Sequence, residues 1–144
     1  MDAEAVEAML REDRAEWEAL VAVLETQPEG PLHDLQSPEW TSRDVYAHLA
    51  RWIGHSTAHL EAHLAGRPFP KLEGTDDEIN ARWQRENSGL SLAEARERAR
   101  AAFERRIQAI QAVRPGRWDK EMEAIARADG AQHYRGHRSY IVGA

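Results

Sequence analysis

The chain contains no cysteine, which excludes a disulfide framework, a thiolate metal site and a cysteine nucleophile. Any metal must therefore rest on His, Asp or Glu. No run of 18 apolar residues occurs, so no membrane-spanning helix is expected. The opening "MDAEAVEAMLREDR" is acidic where a secretory signal would begin with basic residues, and a cytoplasmic location is the expectation. Cations are in the minority: 19 Lys and Arg stand against 25 Asp and Glu, a formal net charge of −6. Nucleic-acid affinity depends largely on Lys and Arg neutralising phosphates, so neither nucleic acid nor membrane is expected as a partner. The arginines of "EARERARAAFERR" alternate with glutamates at helical spacing, the mark of a solvated helix face. Internal repeats, low-complexity segments and convincing strand alternation are also lacking.

What remains is 144 residues, 42% hydrophobic and 31% charged, a composition that suits one soluble globular domain over residues 1–144. Val6, Leu10, Trp17, Leu20 and Leu24 recur at three- and four-residue steps and predict a first helix from about Ala3 to Thr26, stopped by "QPEGP". Asp13 falls in that stripe, one turn before Trp17. Two accounts are open: it lies at the stripe's edge and reaches water, or it partners something buried. Unpaired buried carboxylates are rare, and the first account is the expectation.

A second helix opens at "SPEWTSRD", with Thr41 as cap and Asp44 near its N-terminus, and runs to about Ala65 before "GRPFP". Val45, Leu49, Ile53, Leu60 and Leu64 form one stripe. His48, Trp52, His55, His59 and His63 form a neighbouring one about 90° round the helix. "DDEINARWQREN" predicts a short extra helix across an opening of the bundle. "SLAE" is a capping box with Ser91 and Glu94, and Leu92, Ala95, Ala99, Phe103, Ile107, Ile110 and Val113 carry a third long helix to "RPG". Asp129 as cap, with Gln132 at the matching position, predicts a last helix from about Gly130 to Val142. Whether "WDKEMEAIAR" joins it stays open, because Gly130 sits between them. The sum is an all-α four-helix bundle with a short extra helix between the second and third long helices.

"HYRGH" places His133 and His137 one turn apart on the last helix, with both imidazoles on one side and within reach of one divalent ion. The pair alone is not diagnostic, since HxxxH arises often by chance. A third ligand is needed. Seven residues rise about 10.5 Å along a helix, so His48 and His55 cannot both serve. His55 with His59, or His59 with His63, forms a rival pair, and spacing alone leaves two candidate centres.

"WTSRDVYAHLARW", followed near the chain's end by "HYRGHRSYI", resembles the DinB-like superfamily of metal-binding four-helix bundles. That superfamily includes the N-terminal domain of mycothiol-dependent maleylpyruvate isomerase and the ClbS/DfsB-like proteins. Trp40, Asp44, His48 and Trp52 reproduce its pattern around the second helix, and His133 and His137 match its terminal HxxxH. "DDEINARW" is similar to the Asn-containing segment between the second and third long helices of ClbS-like members. Those members often keep the "HY" without the second His, so this chain lies nearer the general three-histidine pattern. The resemblance implies a metal held by His48, His133 and His137.

Three neutral imidazoles leave a coordination position for water or substrate, the usual arrangement of a catalytic zinc site. The function implied is a metal-dependent enzyme on a small molecule, either a hydrolase or a low-molecular-weight-thiol transferase. A thiol would have to come from a cosubstrate, because the chain has none. Zinc or nickel is the expected ion, with iron and manganese as the other candidates. The alternative is a bundle that binds or sequesters a small molecule, its metal structural or absent. Asp13, His55 and His59 are candidates for groups supporting the site, and Trp17, Trp52, Trp83 and Tyr140 for a pocket wall. A homodimer is a plausible assembly, C2 pairs being the commonest oligomers.

Overall fold

Helix boundaries follow the capping chemistry. The computed structural model describes residues 1–27, 30–32, 37 and 39–141, so Pro28 and Glu29 of the expected stop, Pro38, and the expected helix end at Val142 lie outside the described residues. Helix α1 (Ala3–Thr26) starts where the Asp2 carboxylate accepts from the Ala5 amide. Helices α2 (Ser42–Leu64), α3 (Asp76–Glu86) and α4 (Leu92–Gln111) each open with a reciprocal capping box, at Thr41/Asp44, Thr75/Glu78 and Ser91/Glu94. A 3-10 turn (Pro115–Arg117) then leads to α5 (Lys120–Arg127), capped by Asp119, and to α6 (Ala131–Tyr140). Among the described residues there is no strand, and the all-α expectation is met. "WDKEMEAIAR" contributes a helix of its own.

Helix α2 packs along α4 and α1 along α6, while α3 and α5 both lie against α2. The apolar stripes meet in a core of Leu20, Leu24, Val45, Leu49, Ile53, Phe103 and Tyr134, with Ala95 and Ala99 letting α4 approach α2 closely. A second cluster, including Met9, Leu60, Ile110, Met122 and Ile125, closes the end of the bundle where α5 lies. Fully burying a Leu or Phe side chain contributes about 1.5–3 kcal/mol, so these layers carry most of the stability. Helix α3 hangs on α2 by polar contacts: Arg43 donates to the carbonyls of Asn87 and Leu90, and Trp52 Nε1 donates to Asn80 Oδ1 at 2.7 Å.

The start of α6 departs from expectation in two respects. Asp129 does not cap it; the N-cap is Gly130, with no side-chain cap of its own. Nor does Asp13 reach water. It is 2% exposed, and its Oδ1 accepts from the Ala131 amide at 2.9 Å, so a carboxylate from α1 supplies the acceptor that the first turn of α6 needs. Its Oδ2 accepts from Nε and Nη2 of Arg106 at 3.1 and 2.7 Å, and Arg106, also 2% exposed, donates through Nη1 to the Ala128 carbonyl at 3.1 Å. A buried charge is tolerable only when paired and hydrogen-bonded, which is why a residue on a core stripe can be an aspartate here. Gly130 completes the junction: a Cβ on it would stand 2.5 Å from Arg106 Nη2 and 2.8 Å from Asp13 Oδ1.

Asp13→Ala strands a buried guanidinium and should cost about 3–5 kcal/mol in urea denaturation, the range for breaking a buried ion pair. Gly130→Ala should also destabilise by forcing that pair apart. Gly136→Ala, whose Cβ would meet nothing closer than Tyr140 at 3.9 Å, should match the parent or gain up to about 1 kcal/mol. Equal midpoints for the parent and the Asp13 variant would refute this account of the junction.

Candidate metal centre

The stripe beside the core face of α2 carries His48 into the bundle, and the pinned start of α6 sets His133 and His137 opposite it. Nε2 of His133 lies 3.2 Å from Nε2 of His48 and 3.1 Å from Nε2 of His137. One ligand nitrogen from each ring falls within 4.8 Å of the other two. Nitrogens at about 2.1 Å from one tetrahedral ion would be roughly 3.4 Å apart, so the three donors fit a single divalent cation. His48 is buried, and burial, then the neighbouring His137 and His133, push its pKa well below the ordinary 6.5. It is thereby kept neutral, the form that binds metal. Trp40 leans on its ring, centroids 5.0 Å apart.

Behind His133 stands Asp129. Its Oδ1 lies 3.1 Å from His133 Nδ1, a polar contact whose alignment falls short of a hydrogen bond. Its Oδ2 accepts from the Ser56 hydroxyl of α2.

The three imidazoles form part of the wall of an open pocket of about 350 Å3. Trp40, Trp52 and Tyr140 provide its aromatic surface, and Asp76, Asn80, Asp129 and Gln132 its polar surface. Neither lysine nor arginine is among the described lining residues. Trp52 and Tyr140 thus line the pocket. Trp17 and Trp83 do not: Trp17 stacks on Phe103 in the core, centroids 4.7 Å apart, and Trp83 packs behind Trp52 under the Arg51 guanidinium. Asp13 supports the site only through the start of α6.

His55 and His59 pack on Phe69, His59 stacked at 4.6 Å and His55 tilted at 4.9 Å, and neither belongs to the group of three. His63 faces Asp119 and Glu121 at the surface, at 3.7 and 3.9 Å. Among the described residues, the one group of three suited to a metal is His48, His133 and His137. Sequence reasoning left Asp76, Asn80, Gln132 and Gly136 unassigned to the pocket and gave Asp129 a capping role. A signal for Asp129 was present: Asp129, His133 and His137 share a four-residue spacing.

Residues 10–136 match the family model described as mycothiol maleylpyruvate isomerase N-terminal domain. No curated protein and no solved structure matches the chain.

The depressed pKa of His48 has a consequence for stability. The unfolded chain takes up a proton near 6.5 while the folded one resists it, so this contribution is fully present above that value and is lost as pH falls through the folded pKa. Burial depresses His55 in the same sense. Chelator-treated protein should therefore lose stability between about pH 7 and pH 5, and His48→Gln should flatten that loss. A urea midpoint that rises on acidification, or an unchanged slope in the variant, would refute it.

Proposed function

Because the chain belongs to the mycothiol maleylpyruvate isomerase N-terminal domain family, we propose that it is a metal-dependent enzyme acting on a small molecule, with His48, His133 and His137 holding the ion and a low-molecular-weight thiol as cosubstrate. The observation that carries this reading is the convergence of three imidazole nitrogens on the wall of an open pocket. Three protein ligands and an accessible fourth position suit a catalytic site better than a structural one. The family's description names a thiol and an isomerase, and the absence of cysteine means that any thiol must come from outside the chain.

A divalent ion in this place would hold a thiol as thiolate at neutral pH, ready for transfer to an electrophile. Zinc or nickel suits the donors best, with iron and manganese as alternatives. The chain's own groups do the rest. The imidazoles supply the donor nitrogens, and burial keeps His48 neutral. Trp52, fixed by its bond to Asn80, and Tyr140 offer flat apolar surface to the body of a ligand, while Asp76 and Gln132 offer polar contacts. The described wall carries the carboxylates of Asp76 and Asp129, which disfavour a cosubstrate bearing anionic groups beyond the thiolate. The polar lining also leaves room for water beside the ion, and hydrolysis is the second reading.

Elemental analysis of untagged protein should find about one equivalent of metal, lost in His48→Ala and His137→Ala variants that still fold. Gly136 lies between the two α6 histidines and lines the pocket. Gly136→Leu should therefore keep the metal and lose thiol binding, read by perturbation of the cobalt(II) spectrum on adding thiol. A panel of thiols with electrophiles, and of hydrolysable esters and amides, then separates the two reactions. Metal and ligand binding without turnover across the panel would favour a sequestering protein, and no metal after supplementation would overturn the reading.

A further inference from the structure

Asp129 is the sole residue other than glycine with a positive φ among the described residues, at 58°. Left-handed backbone strains an L residue, and glycine would occupy the position at lower cost. The flanking backbone is held from both sides: Arg106 of α4 binds the Ala128 carbonyl and Asp13 of α1 binds the Ala131 amide. The strained residue is thus fixed by helices other than those carrying the three histidines. Its carboxylate joins the two that do carry them. Oδ2 accepts from Ser56 on α2, which also bears His48, and Oδ1 lies 3.1 Å from Nδ1 of His133 on α6.

A carboxylate beside one nitrogen of a neutral imidazole selects a tautomer. With the proton on Nδ1, the N–H faces the carboxylate and the lone pair sits on Nε2. With the proton on Nε2, two sets of lone pairs oppose each other at Nδ1, and an N–H points at the neighbouring imidazoles instead. The ring needs only a rotation about χ2, a soft torsion, to bring the Nδ1 proton into line. We propose that Asp129 is a positioning residue: its carboxylate, anchored by Ser56, holds His133 as the Nδ1–H tautomer and so presents the Nε2 lone pair toward Nε2 of His48 and His137. Its purpose rests on the metal-centre reading above, but the tautomer it dictates belongs to the chain alone. Carboxylates that orient a ligating histidine in this way typically alter metal affinity 10- to 100-fold, an order-of-magnitude range.

The test uses the full chain as parent, Asp129→Gly and Asp129→Asn. Glycine accepts the left-handed conformation, so folding is not at stake, and asparagine keeps an acceptor without the charge. Long-range 1H–15N correlation spectra of chelator-treated protein at about pH 8 report which ring nitrogen carries the proton. The parent should show His133 as Nδ1–H. Asp129→Gly should move it toward the Nε2–H form that free histidine prefers, and Asp129→Asn should restore part of the Nδ1–H population. Zinc affinity, by competition with a chromophoric chelator, should fall about 10- to 100-fold in the glycine variant and less in the asparagine variant.

A parent His133 already in the Nε2–H form overturns the proposal, as does a tautomer indifferent to Asp129→Gly. So does a zinc-binding parent whose affinity the glycine variant leaves unchanged. If the tautomer responds as expected but the parent binds no zinc, nickel, iron or manganese, the orienting role of Asp129 stands and the metal-centre reading falls.

Discussion

The buried pair of Asp13 and Arg106 is the constraint on which the functional end of this bundle depends. Helix α6 is short, begins at a glycine with no side-chain cap, and must still present two imidazoles in a fixed direction. The missing cap comes from α1: one oxygen of Asp13 serves the α6 amide while the other neutralises Arg106, which in turn holds the residue before Asp129. Without this pair the first turn of α6 would have an orphan donor in a dry interior, and buried polar groups left unmade are costly. The pair therefore does more than balance charge. It couples α1 and α4, which contribute no histidine to the triad, to the position of His133.

From that junction the site assembles in layers. Apolar packing of α2 on α4 fixes the rotation of α2, and with it the direction of His48. The pinned α6 supplies His133 and His137 one turn apart. Asp129 and Ser56 then tie α2 to α6 directly behind the triad. Helix α3, slung from α2 by Arg43 and by the Trp52–Asn80 bond, brings Asp76 and Asn80 to the same pocket. The three imidazoles stand on bundle helices while part of the pocket wall comes from the peripheral helix α3, so the spacing of the histidines and the shape of the pocket depend on different elements.

The fold and the α6 pair of the triad were largely legible from residue order, because both are written in local rules. Capping boxes at Thr41/Asp44 and Ser91/Glu94 and the three- to four-residue apolar steps mark helices wherever they occur. An HxxxH likewise sets two imidazoles on one side of a helix by backbone geometry alone. The choice of His48 over the His55, His59 and His63 pairs came from resemblance rather than spacing. In three dimensions His55 and His59 pack on Phe69 and His63 faces the surface acids.

What tertiary structure decided were the partnerships between residues distant in the chain. Asp13 read as an edge residue because its partner, Arg106, lies 93 positions away within a run of arginines that looks wholly solvated. Asp129 read as a cap because an acidic residue before a helix usually is one, and only the left-handed turn at 129 sends its side chain to Ser56 and His133 instead. Trp17 and Trp83 carry the same aromatic chemistry as Trp52 and Tyr140, yet only packing separates core from pocket. Residue order determined the helices and two of the three imidazole directions, since those follow from backbone period and capping. The third imidazole, the support behind it and the pocket depended on which helix faces which, a matter of how apolar faces and buried charges are satisfied across the whole bundle.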